Sequence, residues 1–153
     1  MASSSMSAVV AGLGSPPSQK LTPENFLFWK ALVFPTLCGA RVLGLLDGSD
    51  ASPPQNLEGE DDKDPEKKKT VENLAYNVWL ERDQQVVSYL VNSLSPAVLA
   101  HVLGLNTAAE IWAAITDLFA SQSRSRVQHL RTAGRIGGAS LINSMNWKIE
   151  EGI

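Results

Sequence analysis

Apolar residues recur at spacings of three and four through much of this chain, the period of a helix with one buried face. In LTPENFLFWKALVFPTLCGA, Phe26, Trp29, Val33 and Leu37 fall in a single stripe. Thr22 is placed as an N-cap, Pro23 suits the first turn and Glu24 complements the positive helix end, so a helix is predicted to open there. Pro35 interrupts the stripe without changing its phase, which predicts a kink or break and a short continuation toward Gly39. Beyond it, RVLGLLDGS predicts a compact turn tucking Leu43, Leu45 and Leu46 under the first helix.

A second, longer helix is predicted over TVENLAYNVWLERDQQVVSYLVNSL, with Trp79, Val86, Leu90 and Leu94 in phase. Ser95 is placed to cap a short helix that begins at Pro96 and ends at Gly104. Thr107-Ala-Ala-Glu110 has the spacing of a capping box, and Ile111, Ile115, Leu118 and Phe119 form the stripe that follows, with Trp112 beside it. A last helix is expected from near Ser123, with Val127 and Leu130 inward and Arg124, Arg126 and Arg131 outward. The predicted fold is all-α, a small bundle of about five helices. Its core residues are Phe26, Trp29, Val33, Leu37, Trp79, Val86, Leu90, Leu94, Ile111, Trp112, Ile115 and Phe119, and its caps are Thr22, Ser95, Thr107 and Glu110.

Three segments lack this pattern. Residues 1–19 mix Ser, Gly and Pro with small apolars and read as a disordered leader. The apolar run AVVAGLG is too short, and lacks a preceding basic residue, for a secretion signal. Residues 48–69, rich in Pro, Gly and charge, read as a mobile loop, because they offer too little apolar surface to offset their ordering entropy. Residues 134–153 carry glycines and no lasting period, and read as an irregular tail.

A chain of 153 residues is one domain's worth, and its helical part is taken as residues 20–133. The formal charge of −3 argues against a protein that coats nucleic acid indiscriminately. A single Cys38 excludes an internal disulfide and suits a reducing, cytoplasmic setting. Lys67-Lys68-Lys69 carries the nuclear alternative, although three lysines among acids are more simply a solvated face. No apolar stretch approaches the roughly 20 residues of a membrane span, so no membrane partner is expected.

Candidate chemistry is sparse. His101 and His129 stand alone with Cys38, which gives no metal-ligand set. Asp83 lies one turn after Trp79 but has no His, Cys or second carboxylate at useful spacing, so it reads as a structural hydrogen-bonding group or an exposed one. There is no glycine-rich phosphate loop, nucleophile elbow, paired-cysteine motif or HExxH. The expectation is a protein that is not an enzyme, with no cofactor, no catalytic residue, no metal and no small-molecule substrate. Arg124, Arg126, Arg131 and Arg135 are the candidate contacts for RNA. The plainer reading of these arginines is a soluble helix face, since no aromatic residues interleave to stack bases.

The ordered series Asn25-Phe26, Trp29-Lys30, Pro35, Leu46-Asp47-Gly48, Trp79, Asp83-Gln84, Ser93-Leu94-Ser95, Thr107-Ala108, Trp112 and FASQSRSRVQHLR resembles the N-terminal Gag region of copia-type LTR retrotransposons in plants. The resemblance covers roughly residues 20–133. It implies a helical, capsid-type structural protein whose copies associate into particles around RNA, with Trp29, Trp79 and Trp112 as core anchors. The insert LEGEDDKDPEKKKTVEN is longer and more charged than that family's usual loop. From GRIGGASL onward the text departs from the family, as if the capsid-type region were truncated and foreign sequence followed. Truncation would leave apolar faces to be covered by another copy, so self-association into a homo-oligomer is the leading expectation. The alternatives are a domesticated module that binds RNA or protein weakly, and a decayed gene product without a retained role.

Overall fold

Asn25, three positions beyond Thr22, stands at the head of the first helix. The computed structural model describes residues 9–61 and 64–136, and leaves the side chains of 61–67, 122–123, 125–130 and 132–136 outside that description. Its elements run α1 (Phe26–Gly39), α2 (Leu43–Asp47), β1 (Asn56–Asp61), β2 (Asp64–Glu72), α3 (Leu74–Asn92), α4 (Pro96–Leu99) and α5 (Ala108–Ile136). The fold is largely helical, but it is not all-α.

Helix α1 begins late because the chain before it is committed elsewhere. Leu21 N–H donates to Ser93 O at 2.8 Å and Ser95 N–H donates to Leu21 O at 3.0 Å, an isolated parallel bridge between Leu21 and Leu94. Thr22 N–H then donates to the Asn25 side chain at 2.7 Å, whose amide donates back to Lys20 O. Thr22 is therefore not the cap, and Pro23 and Glu24 form a turn. The helix runs through Pro35 to Gly39 without breaking. Pro35 only removes one donor, on a face open to solvent.

At its far end Arg41 takes φ 58°, Arg41 N–H bonds Cys38 O at 3.1 Å, and Val42 N–H bonds Leu37 O at 3.3 Å. These are the paired bonds of a Schellman stop, with the side chains of Leu37 and Val42 both buried. The expected turn after it is the short helix α2, which buries Leu45 and Leu46 and leaves Leu43 more exposed.

The charged stretch expected as a mobile loop instead forms an antiparallel ribbon, with Leu57 opposite Val71 and Glu60 opposite Lys68. Its base is fastened by Asn73, whose N–H donates to Gln55 O at 3.0 Å and whose amide donates to Pro54 O at 2.7 Å. The same side chain accepts from Ala75 N–H at 3.0 Å and so caps α3. One residue thus starts the helix and closes the ribbon. Residues 9–19 are irregular, yet Leu13 is buried and Val10 N–H donates to Gln85 on α3 at 2.8 Å.

Ser95 occupies the position before α4 but makes no cap bond, and its hydroxyl is buried with no partner among the described residues. The bridge to Leu21 holds Ser95 extended, at φ −70° and ψ 159°. Ahead of α5, Glu110 N–H donates to Thr107 Oγ1 at 3.3 Å, while the Glu110 carboxylate accepts from Thr107 N–H at 3.2 Å and Asn106 N–H at 2.9 Å. These bonds hold the Glu110 carboxyl below its ordinary value. Thr107→Ala is expected to lower stability by about 1 kcal/mol, seen as an earlier urea midpoint at unchanged slope. An unchanged midpoint would mean that the cap contributes nothing.

Helix α5 is continuous where the sequence pattern predicts two helices, and it extends past residue 133 to Ile136. The rest of the expected tail, like the first eight residues, lies outside the described residues. The chain divides into two compact units, 1–115 and 116–153. The first holds α1 to α4, the ribbon and the start of α5; in the second, Phe119 is buried and Leu118 is 40% exposed.

Candidate interaction surface

The core of the first unit is organised around Trp29, which is fully buried. Its Nε1–H donates to Ser93 O at 3.1 Å, the same carbonyl that accepts from Leu21 N–H. Ser93 is itself fully buried, with its hydroxyl donating to Leu90 O at 2.6 Å. The segment before α1, α1 itself and the end of α3, more than sixty residues on, meet at this one carbonyl. Phe26, Val33, Leu37, Val86, Leu90, Leu94, Ile111 and Ile115 are buried as well.

The other two tryptophans expected in the core are only half-buried. Trp79 donates its Nε1–H to Asp50 O at 2.8 Å and stacks on Tyr76, and Arg82 pairs with the Asp50 carboxylate at 3.1 Å. Trp79 therefore holds the chain that follows α2 and is not a deep anchor. Trp112 lies between Trp29, with centroids 6.1 Å apart, and Phe34, at 6.3 Å. With Phe26 stacked on Trp29, this makes a row of four rings leading from the interior to a partly exposed Phe34.

Helix α1 is apolar on both sides. Its inner stripe of Phe26, Trp29, Val33 and Leu37 is buried, whereas Leu27, Phe28 and Leu32 on the outside are 40%, 52% and 42% exposed. Ala31 and Pro35 continue that outer face. Lys30 is the only charged residue among the fourteen, and its ammonium sits 5.9 Å over the Phe34 ring. A surface helix ordinarily turns charge outward, and one that is apolar all round is ordinarily covered. Helical spacing reveals the inner stripe but not the outer face, for which the sequence signal is one charge in fourteen residues.

Asp83 is 1% exposed and points at the start of α5, where Oδ1 accepts from Ala108 N–H at 3.1 Å. Oδ2 accepts from the Gln84 amide at 3.2 Å, and that amide also donates to Asn106 O. Burial pushes the Asp83 carboxyl above its ordinary value, and the bonds from Ala108 and Gln84 offset part of this. The carboxylate is a cap supplied by one helix to another.

The remaining candidates do not converge. Arg124 and Arg131 are exposed on α5, while the side chains of Arg126, Arg135 and His129 lie outside the described residues. His101 is exposed and Cys38 is a half-buried free thiol. Among the described residues no group of three or more His, Cys, Asp or Glu could hold a metal ion, and no helix is long and apolar enough to cross a membrane. A groove between residues 9–16 and α3 is lined by Val10, Leu13, Pro16, Gln85, Ser88 and Tyr89, none of them a carboxylate, a histidine or a cysteine.

Comparison with known proteins gives relatives of one kind. The chain is 32% identical over 113 residues, 74% of its length, to the retrovirus-related Pol polyprotein from transposon RE1 of Arabidopsis thaliana. It is 30% identical over 123 residues, 80% of its length, to the corresponding polyprotein from transposon RE2 of the same plant. The matches span only 7% and 8% of those polyproteins. No protein-family model matches the chain. No solved structure matches it. The chain is thus related in sequence to a short segment of plant retrotransposon polyproteins.

Proposed function

We propose that this chain is a non-catalytic, Gag-like structural segment of a copia-type retrotransposon polyprotein that self-associates through helical faces. The observation that carries the reading is the outer face of α1, where Leu27, Phe28 and Leu32 stand in water with no charge among them. Each of the three is already about half covered, so covering the rest of one is worth only about 1 kcal/mol. Three together favour contact with another copy, and further contacts around them must offset the rest of the cost of association. The relationship to transposon polyproteins supports the setting, and the resemblance of the Trp29, Trp79, Asp83 and Trp112 series to Gag segments supports the role. The rival module that binds RNA would rest on Arg124 and Arg131, and the geometry adds nothing to their exposure.

The test is light scattering across a concentration series for the native chain and for a Phe28→Glu, Leu32→Glu variant. The native chain is expected to gain mass with concentration, and the variant to need at least about tenfold more protein to do so while keeping its helical signal. A native chain that remains monomeric throughout, or a variant that associates equally well, would refute the proposal.

A further inference from the structure

Leu57 and Val71 stand directly opposite each other in the ribbon, so their side chains lie on one face. Gly59 belongs to that face, and a Cβ there would lie 3.2 Å from Val71 Cγ2, so the bare glycine gives Val71 room over β1. Strand alternation sends Asn56, Glu58, Glu60, Lys68, Thr70 and Glu72 to the other face. The ribbon is therefore polar on one side and apolar on the other, yet Leu57 and Val71 are 47% and 46% exposed. Two strands alone are marginal in water, and a sheet face of this kind is ordinarily closed by a further strand or a helix. Asn73 fastens only the base.

Helix α1 has the converse deficit, an apolar helix face with Leu27, Phe28 and Leu32 open to water. The two surfaces do not close each other within one copy, since both are open in the same chain. Between two copies, the one would bury the other over an area on the order of 1,000 Å² in total with its polar rim, the size of a weak, reversible contact. Two α1 helices laid against each other would close that helix and leave the ribbon face in water. No charge has to be buried. Lys30 lies over Phe34, to the side of the outer face of α1. Lys69 is the one charged side chain on the ribbon face among the described side chains, and its long stem can carry the ammonium past a docked helix to water.

We propose that the apolar face of the ribbon receives the outer face of α1 from a second copy of the chain. This rests on the reading that α1 binds another copy, and it names the surface that α1 binds. The contact joins unlike faces, so a copy that has lost one face can still offer the other.

That property supplies the test, light scattering of the full chain in two variants. One carries Phe28→Glu and Leu32→Glu on α1. The other carries Leu57→Lys and Val71→Glu, which keep opposite charges across the ribbon. All four positions are exposed, so both variants should keep the native urea midpoint. Each alone is expected to need at least about tenfold more protein than the native chain to associate. Mixed in equal amounts, the two hold one intact α1 face and one intact ribbon face on different copies. The mixture is therefore expected to associate at a concentration roughly threefold or more below that needed by either alone. A ribbon variant that associates like the native chain, or a mixture no better than its parts, would overturn the ribbon contact and leave α1 to pair with some other surface. An α1 variant that associates like the native chain would instead overturn the α1 reading, and this contact with it.

Discussion

Trp29→Ala is expected to lose about 3–5 kcal/mol, the usual loss for a buried tryptophan cut to its β-carbon. Against a total of about 5–15 kcal/mol that is enough to leave much of the chain unfolded or to lower its melting point by on the order of 10 °C. The loss has two parts. The indole fills the centre of the row formed by Phe26, Trp29, Trp112 and Phe34, and its Nε1–H is one of two donors to Ser93 O. Trp29→Phe separates them, since it keeps a ring and removes the donor. Ser93 O still accepts from Leu21 N–H, so it is not orphaned, and the loss should be only about 1–3 kcal/mol. Thermal or urea unfolding of both variants checks this. A Trp29→Ala chain within about 1 kcal/mol of the native one would mean that the core is not centred there.

The second large effect is expected at Asp83. Removing its carboxylate with Asp83→Ala leaves the Ala108 N–H, on a fully buried residue, without its acceptor, a loss of about 1–3 kcal/mol. Asp83→Asn keeps an acceptor in place and should be milder. The pH dependence identifies the carboxylate more sharply. Its pKa in the folded chain lies above the ordinary value of 3.8, chiefly through burial, so between those two values the folded state holds a proton that the unfolded state has released. Stability relative to the Asp83→Asn chain therefore falls as pH rises through this window, and levels off above the folded value. Asp47 and Glu110, held below their ordinary values by hydrogen bonds, behave oppositely, and their contributions disappear as pH falls. Asp47 is common to both chains and cancels in the difference, whereas Glu110 repels the Asp83 charge and helps to raise its value, so that part of the difference belongs to the two carboxylates together. Urea unfolding of the two chains from neutral pH to about pH 4 should show the Asp83→Asn chain gaining relative stability toward neutrality. A pH-independent difference would contradict a buried, proton-accepting Asp83.

Features set by neighbours in sequence are legible from the residues alone. The inner stripe of α1 follows from the helical period, and the reciprocal bonds of Thr107 and Glu110 follow from residues three apart. Features set by distant partners are not. Thr22 and Ser95 have the right chemistry for caps, but the Leu21–Leu94 bridge fixes the backbone on which each sits, and that bridge joins residues more than seventy positions apart. Asp83 serves α5 across 25 positions, so no local pattern could reveal its partner. The ribbon escapes a pattern-based reading because its strands are charged and short of β-branched residues, and its stability comes from register and from Asn73 at its base. SQSRSR reads as a break between helices, yet α5 passes through it. Polar residues interrupt an apolar stripe without interrupting helical hydrogen bonding.

The surface differs from expectation for another reason. Helical phase puts Trp79 on an inner stripe and the family resemblance makes Trp79 and Trp112 core anchors, whereas each is half-buried and bonds or stacks at the margin of the first unit. A helix apolar on both sides cannot be recognised from its stripe alone, because the period that marks one face says nothing of the other.

On the proposed function, α1 has two working faces, one closed inside the chain and one closed by a second copy. Solution NMR over a range of concentrations, with Phe, Leu and Trp side chains labelled, tests it most directly. Resonances of Leu27, Phe28 and Leu32 are expected to shift as concentration rises, while the Trp29 indole N–H stays protected and unmoved. Shifts confined to residues away from α1, or a Trp29 indole that exchanges freely with solvent, would contradict it.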